Sequence, residues 1–263
     1  MSQCSGNDAP ISKGDKLNKQ QCSKNNLERD SMKDKPYTSA MGSLMYAQVR
    51  TRPDITFAVS VLKRFQFDAG LAHWIAAKKV MRYLLRTRDF RLVYRSDDRL
   101  EVVGYSDSGF SGCIDDMKST SGYVFLMGGG AVSWKSVKQR IITSSTMQVE
   151  FVALFEATKQ AVWLRNFITE LKVVDSISKP LRLWCDNNSA VIFSKNNKKS
   201  NSSKHIEIKY LLVREKVTEG EVDVIHILTE KMVVDPLTKA LSVGVFRGHV
   251  TSMGLIEYFD IFV

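Results

Sequence analysis

GYSDSGFSGCIDDMKSTSGYVF, from Gly104 to Phe125, holds two strands and the turn between them. The apolar run LEVVGY, starting at Leu100, ends in one carboxylate, Asp107. A polar Gly/Ser-rich turn follows, and a second apolar run begins at Tyr123. Three glycines, Gly128 to Gly130, join GYVFLM to AVSWKS and suit a tight hairpin. With FRLVY, from Phe90, these runs predict a hairpin-rich antiparallel group.

Beyond the hairpin the period lengthens. A long helix is expected from about Ser145 to Leu171, then a strand LRLWCD ending in Asp186 and a helix from Ser189. A basic span, a strand VDVIHI and a last helix after Asp235 complete the series. Strands in hairpins followed by alternating helices and strands describe an α/β chain, a mixed sheet with helices on its faces. Before the sheet, residues 37 to about 87 have helical periods in three segments, with Pro53 placed to open the second. In the first, Met41, Leu44, Met45 and Val49 share a face, and in the third Trp74, Ala77, Met81 and Leu84 point inward. Residues 1–36 are polar and read as a disordered linker with one helical turn near Asn26–Met32.

The 263 residues are 44% hydrophobic and 25% charged, an ordinary globular composition with room for one or two domains. No apolar run is long enough to span a membrane. The start, MSQCSGNDAPISKGDK, lacks the apolar centre of a secretory signal, so an intracellular protein, cytoplasmic or nuclear, is expected. Four scattered cysteines with no C-x-x-C pair indicate neither zinc nor a disulfide framework. The net charge of +10 favours a polyanionic partner.

Four carboxylates stand out. Asp107 and Asp186 each end a strand, and parallel neighbouring strands would bring them together at the carboxyl edge, where open α/β sheets place their sites. Taken singly, each reads more readily as a turn aspartate capping the next segment. Glu150 lies on or beside the apolar stripe of the long helix, where a lone charge is costly unless paired; a structural ion pair would also account for it. Asp235 precedes Pro236, as an N-cap residue does. Together they form an oxygen-only donor set, suited to Mg²⁺ or Mn²⁺ rather than zinc, and a pair of such ions serves phosphodiester cleavage. Lys195, Lys198, Lys199, Lys204, His205 and Lys209 fall in one short basic span, either a grip on phosphates or a solvated face.

YTSAMGSLMYAQVRTRPDITFAV, HWIAAKKVMRYL, the Gly104–Ser136 hairpin region, STMQVEFVALFEAT, WCDNNSAV, KHIEIKY and VVDPLTKAL follow one another in order. This series resembles the C-terminal part of Ty1/copia-type LTR retrotransposon Pol polyproteins, from about Leu27 to Leu255. The resemblance implies a reverse transcriptase thumb/connection remnant over residues 37–98 and a ribonuclease H domain, with its mixed five-stranded sheet, over 99–243. Residues 244–263 would be a tail, ending in IEYFDIFV, outside the family's pattern. It also implies two-metal hydrolysis of the RNA strand of RNA–DNA hybrids, leaving a 3′-OH and a 5′-phosphate. Asp107, Glu150, Asp186 and Asp235 match the family's D-E-D-D set. Two Mg²⁺ ions, replaceable by Mn²⁺, would be the cofactors, with no small-molecule cofactor and no membrane. The partners would be an RNA–DNA hybrid and the upstream reverse transcriptase palm and fingers. The polymerase's Y-x-D-D-type motif is absent from the chain, so no DNA synthesis is expected. The alternative reading is a truncated, inactive remnant that at most binds nucleic acid.

Overall fold

The computed structural model describes residues 7–96, 100–143, 145–172, 179–196 and 204–258. In chain order the elements are α1 (Asn26–Lys33), α2 (Tyr37–Arg50), α3 (Thr56–Leu62), α4 (Leu71–Arg86), β1 (Phe90–Leu92), β2 (Val103–Gly109), β3 (Thr120–Met127) and β4 (Gly130–Lys138). Then come α5 (Thr146–Leu171), β5 (Leu181–Cys185), α6 (Asn188–Lys195), α7 (Lys204–Thr218), β6 (Val222–His226), α8 (Val243–Ser252) and β7 (Leu255–Glu257).

Five strands form one sheet in the order β4-β3-β2-β5-β6. β2–β3 and β3–β4 are antiparallel, whereas β5 lies parallel to both β2 and β6. Gly128 and Gly129 turn the β3–β4 hairpin at φ +57° and +76°, backbone that residues with a Cβ avoid. α5 starts at Ser145, whose hydroxyl accepts from Gln148 N, and lays Phe151, Leu154, Ala157, Ala161, Leu164 and Ile168 on the sheet. Phe151 also meets Phe193 of α6 and Tyr210 of α7 edge to face. This is the mixed α/β sheet with flanking helices that the sequence leads one to expect, ribonuclease H-like in architecture.

A second core belongs to the N-terminal helices. Met41, Leu44, Ile55, Val59, Leu62, Ala77, Val80 and Tyr83 fill it. Val49, expected on the inner face of α2, is exposed, and α4 turns Ala76, Val80 and Tyr83 fully inward while Trp74, Met81 and Leu84 lie at its margin. Inside this core Arg52 grips Asp54 (Nη2 to Oδ2, 2.7 Å) and Thr87 (Nη2 to Oγ1, 2.6 Å), and the Tyr83 hydroxyl donates to Asp54 at 2.5 Å.

Three expectations need correction. Residues 7–36, expected as disordered linker, are placed against the fold. Ala9 enters the helical core, Ser23 Oγ donates to Ala69 O, Asp15 pairs with Lys79, and Lys19 N donates to Asp115. Polar composition concealed these few anchors and the Asn18 and Asn25 caps. The tail expected from residue 244 is likewise part of the helical unit. α8 carries Phe246 and Val250 into its core, and β7 pairs antiparallel with β1, Phe90 opposite Glu257. FRLVY therefore supplies a strand outside the main sheet. Finally, the helix expected after Asp235 is a single 3-10 turn, Asp235–Leu237, and α8 begins only at Val243.

Candidate metal centre

β2 and β5 run side by side in parallel, with Ser106 opposite Cys185. Asp107 and Asp186 are the next residues on each strand path, so both carboxylates arrive at the same edge. Asp107 is 2% exposed. Its cross-strand partner on β3 is Gly122, where a Cβ would lie 2.6 Å from Thr238 Cγ2. The missing side chain lets the Asp235–Leu237 turn settle against the sheet. Thr238 then donates its hydroxyl to Asp107 Oδ2, and Lys239 Nζ lies 3.7 Å from the same oxygen. The ammonium is also 3.0 Å from Asp235 Oδ1, at ion-pair distance but without hydrogen-bond alignment.

From the other side α5 brings Glu150, 8% exposed, whose Oε2 has no hydrogen-bond partner among the described residues. Donor atoms of Glu150, Cys185 and Asp186 lie within 4.8 Å of one another. Asp186 Oδ2 accepts from Thr229 Oγ1 at 3.1 Å, and its backbone carbonyl lies 3.2 Å from His226 Nε2.

The electrostatics follow from this crowding. Burial, and then the Asp107 and Asp186 charges, hold the Glu150 carboxyl well above its ordinary range. Burial also raises Asp107, against the pull of Lys239 and Thr238. Asp235 is pushed up to about 7 by burial and by Asp107. Lys239 is raised despite its own burial, because Asp107 and Asp235 favour its charged form. Burial pushes the Cys185 thiol up as well, and its soft sulfur suits the hard cations favoured by carboxylates poorly. What is left is a set of hard oxygen donors with an unpartnered, buried Glu150 oxygen, which fits a divalent Mg²⁺- or Mn²⁺-type cation. All four carboxylates named from the sequence belong to this one electrostatic cluster. Thr238, Lys239 and Thr229 belong to it too and went unnamed, although the first two lie inside the quoted VVDPLTKAL.

The basic span is rearranged. Lys198 and Lys199 lie outside the described residues, as do the side chains of Lys204 and His205. Lys195 is paired with Asp223 at 3.0 Å. Lys209 sits 4.0 Å over the Phe155 ring, and burial with the Lys159 and Arg140 charges lowers its pKa. It lines a groove of about 430 Å³ with Lys135, Lys138, Arg140, Lys159 and Glu156. Glu156, the one acid lining this groove, is 3.9 Å from Lys135. The sequence signal for this patch was three cations and no acid between Lys135 and Arg140.

The mixed five-stranded sheet thus gathers its carboxylates at one parallel edge. No family model matches the chain. The Pol polyprotein from transposon TNT 1-94 of Nicotiana tabacum is 39% identical over 226 residues, 86% of this chain and 17% of that protein. Its counterpart from transposon RE2 of Arabidopsis thaliana is 32% identical over 221 residues, 84% of this chain and 15% of that protein. Over most of its length the chain is homologous to these retrovirus-related Pol polyproteins of copia-type transposons, and it spans less than a fifth of the two transposon relatives. Secreted RxLR effector protein 161 of Plasmopara viticola is 47% identical over 133 residues, 51% of this chain and 94% of that protein. Among solved structures, LC11-RNase H1 in complex with RNA/DNA hybrid overlays 52% of this chain and 94% of its own at 19% identity and TM-score 0.39. The foamy viral protease-reverse transcriptase dRH in complex with ds DNA overlays 78% of this chain and 35% of its own, at 13% identity and TM-score 0.47.

Proposed function

We propose that this chain is the ribonuclease H part of a copia-type Pol polyprotein and hydrolyses the RNA strand of RNA–DNA hybrids with two divalent ions. The observation that carries the proposal is the meeting of buried Asp107, Glu150 and Asp235 with half-buried Asp186, Glu150 Oε2 being unpartnered among the described residues. Repulsion among these charges is the usual mark of a place built to receive a cation. When bound, Mg²⁺ or Mn²⁺ ions supply Lewis-acid activation of water and neutralise charge at the scissile phosphate. Asp107 and Asp186 would hold both ions, Glu150 one of them, and Asp235 the other. Thr238 fixes the Asp107 carboxylate, and Thr229 fixes that of Asp186, so neither ligand rotates freely.

The groove of Lys135, Arg140, Lys159 and Lys209, beside Lys138 in its 2.8 Å pair with Asp116, would hold the hybrid's phosphates without reading its sequence. Residues 37–98 would be the reverse transcriptase thumb/connection remnant, docking the upstream palm and fingers. An apolar groove beside exposed Leu85, lined by Leu44, Met81 and Leu84, supports this. Among the described residues no helix is long and apolar enough to cross a membrane. A cytoplasmic or nuclear site of action goes with the Pol relatives.

The test is cleavage of an end-labelled RNA–DNA hybrid by the full chain with Mg²⁺ or Mn²⁺, beside Asp186→Asn and Glu150→Gln. The whole chain is used because α8 and β7 complete the helical core. Cutting of the RNA strand by the unaltered chain alone supports the proposal. A folded chain that binds the hybrid and leaves it intact sinks the enzyme reading and leaves a nucleic-acid-binding remnant.

A further inference from the structure

The carboxylate cluster is neutralised unevenly. Its Asp107–Asp235 edge already carries a cation, the Lys239 ammonium, 3.0 Å from Asp235 Oδ1 and 3.7 Å from Asp107 Oδ2. Among the described residues no cation lies at ion-pair distance from Glu150 or Asp186, although the Lys239 charge reaches both more weakly. Glu150 Oε2 is unpaired among the described residues, and Asp186 Oδ2 receives a neutral threonine hydroxyl. Lys239 is held in place by the short 3-10 turn that also supplies Asp235, and Thr238 anchors that turn to Asp107 and to the Asp235 carbonyl. The lysine side chain is 38% exposed, and its contact to Asp235 lacks hydrogen-bond alignment. An ammonium so placed can leave for solvent by rotating its own stem, with no change in the sheet.

We propose, resting on the metal-centre reading above, that Lys239 is the resident counter-cation of the Asp107–Asp235 edge. Glu150 and Asp186 would hold a first divalent ion at the edge where, among the described residues, no ammonium lies at ion-pair distance. A second, held by Asp107 and Asp235, would have to displace the ammonium that already lies against their oxygens. The two ions therefore load in order and with unequal affinity. The lysine keeps the centre folded while metal is scarce, and its displacement sets the concentration at which the centre becomes complete.

The experiment is Mn²⁺ titration of the full chain without nucleic acid, read by calorimetry and by the electron paramagnetic resonance of free Mn²⁺. The proteins are the unaltered chain, Lys239→Met, Lys239→Arg and Asp186→Asn. The unaltered chain should show a tight and a weak class. Lys239→Met should tighten the weak class by about tenfold or more and leave the tight class in place. Lys239→Arg, which keeps the charge, should preserve the inequality, and Asp186→Asn should lose the tight class. If Lys239→Met does not fold by circular dichroism, Lys239→Gln takes its place. Superimposable isotherms for the unaltered chain and the neutral variant overturn the role of Lys239 alone. Absence of Mn²⁺ binding in every protein overturns the metal-centre reading itself.

Discussion

Replacing Asp235 with asparagine removes one repelling charge and keeps the side chain's shape. In the metal-free fold this carboxyl is raised from 3.8 to about 7, chiefly by burial and the Asp107 charge. An acid that holds its proton more tightly folded than unfolded costs stability as the pH rises between those two values, and the full cost is present above the higher one. A span of about three units, at about 1.4 kcal/mol per unit, sets a ceiling of about 4 kcal/mol. That net figure already includes the opposing attraction of Lys239, and the cost of burying the polar amide takes back part of the gain. A net gain of about 1–3 kcal/mol is expected above pH 8 or so, falling to nothing near pH 4. Urea unfolding in EDTA, followed by circular dichroism at both pH values, measures it. Saturating Mn²⁺ should reverse the order, because the ion then stabilises only the chain that retains its ligand. A variant less stable than the unaltered chain at high pH in EDTA, or a difference independent of pH, refutes the reasoning.

Three further outcomes follow from the geometry. Gly122→Val would drive a side chain into Thr238 and Leu237, whose nearest atoms lie 2.6 and 3.2 Å from a Cβ at that position; a loss of about 1–3 kcal/mol in urea unfolding is expected, with weakened Mn²⁺ binding. Asp54→Ala strands the buried Arg52 guanidinium and the Tyr83 hydroxyl, and should cost about 3–5 kcal/mol in thermal unfolding. Arg140→Glu or Lys159→Glu should weaken hybrid binding for every sequence alike and reduce the slope of log affinity against log salt by about one or more. A sequence-selective loss would refute the phosphate assignment.

How far the sequence disclosed this arrangement depends on the range of the interactions involved. Asp107 and Asp186 were legible because each ends an apolar run, and parallel pairing of their strands then fixes where they go. Glu150 was legible from helical phase. Thr238 and Lys239 were not, since their approach depends on a glycine more than a hundred positions earlier, Gly122, leaving room for their turn. The basic span was misjudged for a similar reason. Lys195 is neutralised by Asp223 from a distant strand, while Lys209 joins cations from β4 and α5. The last residues read as a tail because β1 and β7 are three residues each, too short for alternation to show, and pair only with each other.

That small pairing has a consequence for how the chain is made. With Phe90 opposite Glu257, the sheet is an insertion between two halves of the helical unit. On the ribosome the helices emerge first, but Phe246, Val250 and Leu255, which complete their core, emerge after the whole sheet. The early helices must wait with an open apolar groove, exposed to chaperones and to neighbouring chains. The finished sheet then delivers the late residues, because the turn packed on Gly122 leads directly toward α8. Order of synthesis and order of closure are thus opposed in the first half of this protein, and a translation product ending near residue 243 would keep its carboxylates and never seal its helices.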